Sequence, residues 1–219
     1  MLSLVRSRKR MNVRYFEKPS YVEDHAEEVL TLVKEWIKEL RIRKVVVASS
    51  TGKSAIKAAK ILKESGVELI VVSDRAGVTF SPEELYDEWA KKLSEEGIKE
   101  YKSGLFWRPE VIEELKKLGI DKILIATELF RGINIPNGVN INSVVAEVLY
   151  RISIGVKVCV EITTMACDAG FVEPGEDVIA VAGSGTGLDS AVVIKAAHSD
   201  EMFDGEKGFR IKEIICKPI

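Results

Sequence analysis

Short β-branched runs separated by longer amphipathic stretches set the terms for what this 219-residue chain can become. Residues 22–40 place Val22, Ala26, Val29, Leu30, Val33, Ile37 and Leu40 at three- and four-residue steps, which predicts one apolar stripe on a helix. Lys44-Val-Val-Val-Ala48 follows, a run without a polar face, of the kind buried on both sides of a parallel sheet. A second helix holds Ile56, Ala58, Ala59, Ile61 and Leu62 inward and ends at Gly66. Glu68–Val72 is the next strand. Ser81-Pro-Glu-Glu84 combines a capping serine, a first-turn proline and an acid, so it starts a helix that Gly97 closes. A weak strand at 98–101, a helix from Pro109 to Gly119, and a buried strand Lys122–Ala126 continue the alternation. A helix stripe of Val144, Val145, Val148, Leu149 and Ile152 then follows an Asn- and Gly-rich loop at 127–142. This order belongs to the α/β class, a mostly parallel sheet covered by helices.

Residues 155–170 carry both periods. Val156, Val158, Val160 and Ile162 alternate as in a strand, whereas Val158, Cys159, Ile162, Met165, Ala166 and Ala169 fit a helix. Length favours the helix, stopped by Gly170. Asp177–Ala182 is a strand, Ala191–Ala197 a strand or short helix, and Phe209–Lys217 an edge strand. No linker or repeat divides the chain, so 11–219 is expected as a single ligand-binding domain. The cluster Arg6–Arg10 is expected as a disordered basic tail over 1–10.

With 32 basic against 34 acidic residues, the chain lacks the basic field of a nucleic-acid binder. No apolar run reaches the ~20 residues of a membrane helix, and Leu2–Val5 is too short for a signal peptide. Three cysteines without CxxC spacing read as reduced and buried, which fits a cytoplasmic protein. Two histidines make a His-rich metal site unsupported, so no metal is expected. Glutamine is absent while Lys and Glu abound, a bias reported for hyperthermophile proteins.

In open α/β sheets ligands bind beyond the carboxyl ends of strands. Four loops there are small and polar: 49–54, 73–77, 127–132 and 183–187. In Ser49-Ser50-Thr51-Gly52-Lys53-Ser54, hydroxyls, a lysine and a helix start converge as they would on a phosphate. A plain serine cap is the alternative. A P-loop is excluded, because its first glycine would fall on Val47, inside the strand. Gly183-Ser184-Gly185-Thr186-Gly187 is a second candidate anion nest or a tight turn. It fails as a dinucleotide fingerprint, since the third glycine falls on Leu188. Ser73, Asp74, Arg75 and Gly77 could meet a ligand's polar edge, or Asp74 and Arg75 could form an exposed ion pair. Ser103, Gly104 and Thr127 complete the loop candidates. Arg131 and Arg151 pair with phosphate or sit on the surface, the surface favoured for each, and Arg151 is kept as a candidate. Asp168, near a helix C-terminus, is unfavourably placed for the dipole; it serves a ligand or bonds the helix end. Glu161 lies on the same face two turns earlier. His198 and Asp200 have no nucleophile in a recognised elbow, and catalytic residues are not identified.

Val45-Val-Val-Ala-Ser-Ser-Thr-Gly-Lys-Ser-Ala55 resembles the phosphate-binding turn of the pyruvate kinase C-terminal domain, which is expected here to stand alone, with no catalytic barrel. Further stretches extend the likeness: Tyr15–Pro19, Gly155–Glu161, Met165–Gly170, Val178–Gly183 and Ile211–Pro218. Together they resemble small stand-alone archaeal proteins built on that domain. The resemblance implies a three-layer αβα sandwich and an FMN site in the cleft above the sheet. It implies no established reaction. The expected function is binding of FMN or another phosphorylated small molecule, with flavin-dependent oxidoreduction open. The alternative is a regulatory sensor for a sugar phosphate or nucleotide. No nucleic-acid or membrane partner is expected, and a homo-oligomer is left open.

Overall fold

The computed structural model describes residues 12–81, 91, 94–132, 138 and 140–219. The main sheet takes its strands from the β-branched runs. They are β1 (Arg14–Phe16), β2 (Lys44–Ala48), β3 (Glu68–Ser73), β6 (Lys122–Ile125), β7 (Asp177–Ala182), β8 (Ser190–Lys195) and β9 (Arg210–Pro218). Two further two-residue strands, β4 (Thr79–Phe80) and β5 (Tyr101–Lys102), pair with each other outside it. The helices are α1 (Ala26–Leu40), α2 (Lys53–Leu62), α3 (Pro109–Lys117), α4 (Ile141–Tyr150) and α5 (Ile154–Asp168).

Spatial order in the sheet is β1-β9-β8-β7-β2-β3-β6. The run β7-β2-β3-β6 is parallel, β8 lies antiparallel between β7 and β9, and β1 joins β9 in parallel. Alternate residues of one strand therefore enter different cores. Val45 and Val47 of β2 pack with Val29, Leu30 and Val33 of α1, while Val46 packs with Val156, Cys159 and Val160 of α5. Likewise Ile179 and Val181 face the α1 side and Val178, Ala180 and Ala182 the α5 side. Both faces must be covered, which makes the fold a three-layer αβα sandwich.

Helix α5 resolves the ambiguous stretch. Val156, Cys159, Val160, Ile162, Ala166 and Cys167 are all buried, and so are Thr163 and Thr164 on its remaining sides. An apolar surround of this kind marks a central helix. It blurs the stripe that periodicity looks for, which explains the competing strand pattern.

Several expectations shift. The weak strand at 98–101 is displaced to β5, in the small ribbon. Strand β6 is half-buried rather than buried, because it terminates the sheet. Strand β9 is not the edge, since β1, which has no sequence signal of its own, pairs beyond it. The stripe of α4 is oriented differently: Ala146 and Leu149 are buried, whereas Ile141, Val144 and Val148 are exposed. This helix packs on α5 and not on the sheet, so a narrow face suffices. The basic tail and most of the helix begun at Ser81 lie outside the described residues.

Gly155 lets α5 approach β8 at close range. A Cβ there would overlap Ser190 Oγ and stand 2.7 Å from Asp189 Oδ1. In an open helix Gly→Ala gains about 1 kcal/mol. Gly155→Ala is expected to do the reverse, losing about 1–3 kcal/mol to overpacking, read as a lower urea midpoint.

Candidate functional site

Strand β2 leads through α2 to β3 and on through α3 to β6, always with helices on one face. The chain then returns by α4 and α5 over the other face to β7, beside β2. The strand order thus reverses between β2 and β7, and a crevice opens beyond their carboxyl ends, where ligands bind in sheets of this type. The turns leaving these two strands are 49–54 and 183–187. The crevice is continuous with a cleft of about 720 Å³ that runs under α4 and along α5.

In the first turn Ser49 is buried, and its hydroxyl accepts from Ala55 N at 3.2 Å. It therefore caps α2 from inside. Gly52 is the N-cap residue with φ +85°, a conformation that favours glycine. A Cβ there would not face the cleft but would strike Val111 Cγ1, with Leu105 Cδ2 at 3.3 Å. Ser50, Thr51 and Ser54 line the cleft beside the first amides of α2, which have no intrahelical partner. Lys53 is exposed and lies outside the wall.

The second turn hangs on a residue that sequence reasoning passed over. Asp189 is fully buried, and its Oδ2 accepts from Ser20 N (2.9 Å), Ser20 Oγ (2.9 Å) and Ser184 N (3.1 Å). Its Oδ1 accepts from Ser190 Oγ at 2.8 Å. Gly183, Gly185, Thr186 and Gly187 remain on the cleft wall, whereas Ser184 is turned inward. Glycine at 183 is required by packing, since a Cβ would overlap the Gly187 carbonyl oxygen and stand 2.8 Å from Ser20 Oγ.

Ser73, Asp74 and Ser103 also line the cleft. Ser73 Oγ accepts from Leu105 N at 2.8 Å, and Ser103 Oγ donates to Asp74 Oδ2 at 2.5 Å. These bonds tie the two loops together and bring Phe80 and Tyr101 of the small ribbon to the wall. Burial pushes the Tyr101 phenol above its usual range, and the Asp74 carboxylate adds to the rise. Arg75, Gly77, Gly104 and Thr127 are not in the wall.

Two further candidates are elsewhere. Arg151 pairs with Glu147 at 3.1 Å on the exterior. Asp168 ends α5 and accepts from Ser199 N at 3.0 Å, with His198 Nδ1 at 3.3 Å. These bonds tie the end of α5 to the segment after β8. Arg131, favoured as a surface residue, is exposed and also borders the cleft, 5.1 Å above the Phe80 ring and 3.5 Å from Glu128. Glu128 and Phe130 enter the wall from the 127–132 loop without having been singled out within it, and Tyr150 and Lys157 were not anticipated there. One signal was available for the last. Lys157 and Glu161, four apart, are the charged residues within the otherwise uncharged run 154–167.

Cys167 Sγ lies 3.7 Å from His198 Nδ1, the same nitrogen that faces Asp168. A relay would need both ring nitrogens. Burial and the neighbouring Asp168 and Glu173 carboxylates push the Cys167 thiol up to about 11; burial pushes Cys216 to about 12. Neither is an activated nucleophile. Among the described residues no helix is long and apolar enough to cross a membrane.

A model of the family described as "Pyruvate kinase, alpha/beta domain" matches residues 27–194, from the first turn of α1 to the end of β8. The matched span contains the turns after β2, β3, β6 and β7, and hence the whole set of loops around the crevice.

Asp189→Ala would remove the shared acceptor of four buried donors, Ser20 N, Ser20 Oγ, Ser184 N and Ser190 Oγ, and a buried donor left unsatisfied, as Ser20 N would be, costs about 1–3 kcal/mol beyond the bonds lost. A loss of about 3 kcal/mol or more is expected in denaturant unfolding, against about 1 kcal/mol for Asp168→Ala. At pH 8 the native thiols, being protonated, should react with iodoacetamide about a hundredfold slower than those of the unfolded chain; equal rates would contradict the burial.

Proposed function

The chain belongs to the pyruvate kinase α/β-domain family, and from that premise and the shape of the cleft we propose that it binds FMN, with the phosphate on the 49–54 turn. The observation that carries this is the meeting of two small polar turns at the point of strand reversal. The Ser50, Thr51 and Ser54 hydroxyls and the start of α2 offer donors and a favourable dipole to one anion. The 183–187 turn closes the opposite side.

The remainder of the cleft suits the rest of such a ligand. Its volume of about 720 Å³ falls in the range of about 300–1,000 Å³ typical of small-molecule sites. Phe80, Tyr101, Phe130 and Tyr150 contribute flat apolar surface to the wall. Glu128 Oε2 is buried there without a hydrogen bond, with Arg131 Nε at ion-pair distance (3.5 Å), and would accept from a ligand N–H. A bound flavin would supply any redox chemistry itself; the residues described bind it, orient it and exclude water.

Hydrogen bonds to a charged group contribute about 1.5–3 kcal/mol each, and ~1.4 kcal/mol is tenfold in affinity. Isothermal titration should therefore give FMN about a hundredfold advantage over riboflavin. Thr51→Val and Ser54→Ala should each reduce that ratio by about tenfold. Lys53→Ala should change it less, and only at low salt. Equal affinities in the wild type would take the phosphate off this turn.

A further inference from the structure

Lys157 and Glu161 are a buried ion pair in the wall of the cleft. The ammonium donates to Glu161 Oε2 at 2.6 Å, and the two residues are only 9% and 3% exposed. Glu161 Oε1 accepts from Phe130 N at 2.8 Å, which fixes the carboxylate. The Phe130 and Tyr150 rings flank the ammonium, with centroids at 5.4 and 5.6 Å. Stability is a poor explanation for the pair, because a buried ion pair replaced by apolar groups of similar volume often costs nothing. The helix around it shows that apolar residues pack here.

We infer that Lys157 reads the ring end of the ligand, donating to a carbonyl or electron-rich nitrogen on the edge of a planar conjugated ring. The inference rests on the binding site proposed above and names its selectivity. An ammonium has three donors, and among the described residues Glu161 is its one hydrogen-bonded acceptor. The pair is electrically neutral, so a second phosphate would have to compete with Glu161 for its cation. A neutral or delocalised acceptor need not, since it shares the ammonium without displacing the carboxylate. The flanking rings supply the surface against which a flat group stacks. In the same loop as Phe130, Glu128 Oε2 has no hydrogen bond and stands at ion-pair distance, 3.5 Å, from Arg131 Nε, so it can still accept from a donor on that ring edge. The site therefore favours ring-bearing monophosphates over simple sugar phosphates.

The test is titration of the wild type and of Lys157→Met/Glu161→Gln with FMN, riboflavin and ribose 5-phosphate, alongside melting curves. The double variant removes both charges together and keeps an acceptor for Phe130 N. FMN and riboflavin should each weaken by about tenfold or more, with their ratio unchanged and ribose 5-phosphate unaffected. Thr51→Val changes the ratio instead, so the two ends of the ligand are separable. A double variant that melts normally and binds both flavins like the wild type overturns the inference and leaves the phosphate turn intact. Equal losses for all three probes overturn it too, as general damage. Should the double variant unfold, Lys157→Arg keeps the pair but moves the donors, and weaker flavins with unaltered ribose 5-phosphate are again expected. A wild type that takes ribose 5-phosphate but neither flavin removes the flavin reading and this inference together. A wild type that binds no probe also removes the phosphate turn.

Discussion

Having built β2, β3 and β6 outward in one direction, the chain must cross back over the sheet before it can add β7 beside β2. Parallel pairing leaves no shorter route, because a strand that runs the same way needs a crossover. The crossover here is α4 and α5, and its consequences are structural as well as functional. It covers the face of the sheet that α1, α2 and α3 leave bare, so α5 becomes the central buried helix. It also parts the loops at the β2–β7 junction, because the connections from these two strands leave toward opposite faces. The cleft is the space between them, lined on one side by the crossover itself.

That geometry separates what was legible in the sequence from what was not. Strands β2, β3 and β7 are runs of β-branched residues buried on both faces, so composition alone announces them. The turns after them are legible too, because backbone amides cannot approach an anion past bulky side chains, and small residues in that place stand out. Strand β1 could not be seen: three residues, two of them exposed, acquire strand structure only because β9 offers an open edge. The face of α4 was misjudged for a related reason. Its valines have the period of a helix, but period alone does not say which neighbour the helix will meet. Gly52 was visible as part of the turn, yet the direction of its missing side chain, toward Val111 in α3, depends on a helix almost sixty residues later.

In the cleft's remaining wall only the loop after β6 was marked by the sequence, because no local motif connects it to α4 and α5. There the structure uses one device twice. Asp189 collects Ser20 N, Ser20 Oγ and Ser184 N, and so anchors the glycine turn to the segment that precedes α1. Glu161 collects Phe130 N and the Lys157 ammonium, and so anchors the loop after β6 to the central helix. A carboxylate out of water is costly unless its lone pairs are filled, and backbone N–H groups fill them only while the loop keeps its shape. Loop shape and buried charge consequently hold each other in place. A ligand entering between these loops finds them already ordered, and less of its binding energy is spent on immobilising them. The two carboxylates differ in one respect. Asp189 bonds only to hydroxyl and amide donors of the protein, whereas Glu161 holds a lysine whose ammonium borders the cleft. The first fixes the wall, and the second fixes a donor within it, which is why the pair on α5 is the one that bears on what the cleft selects.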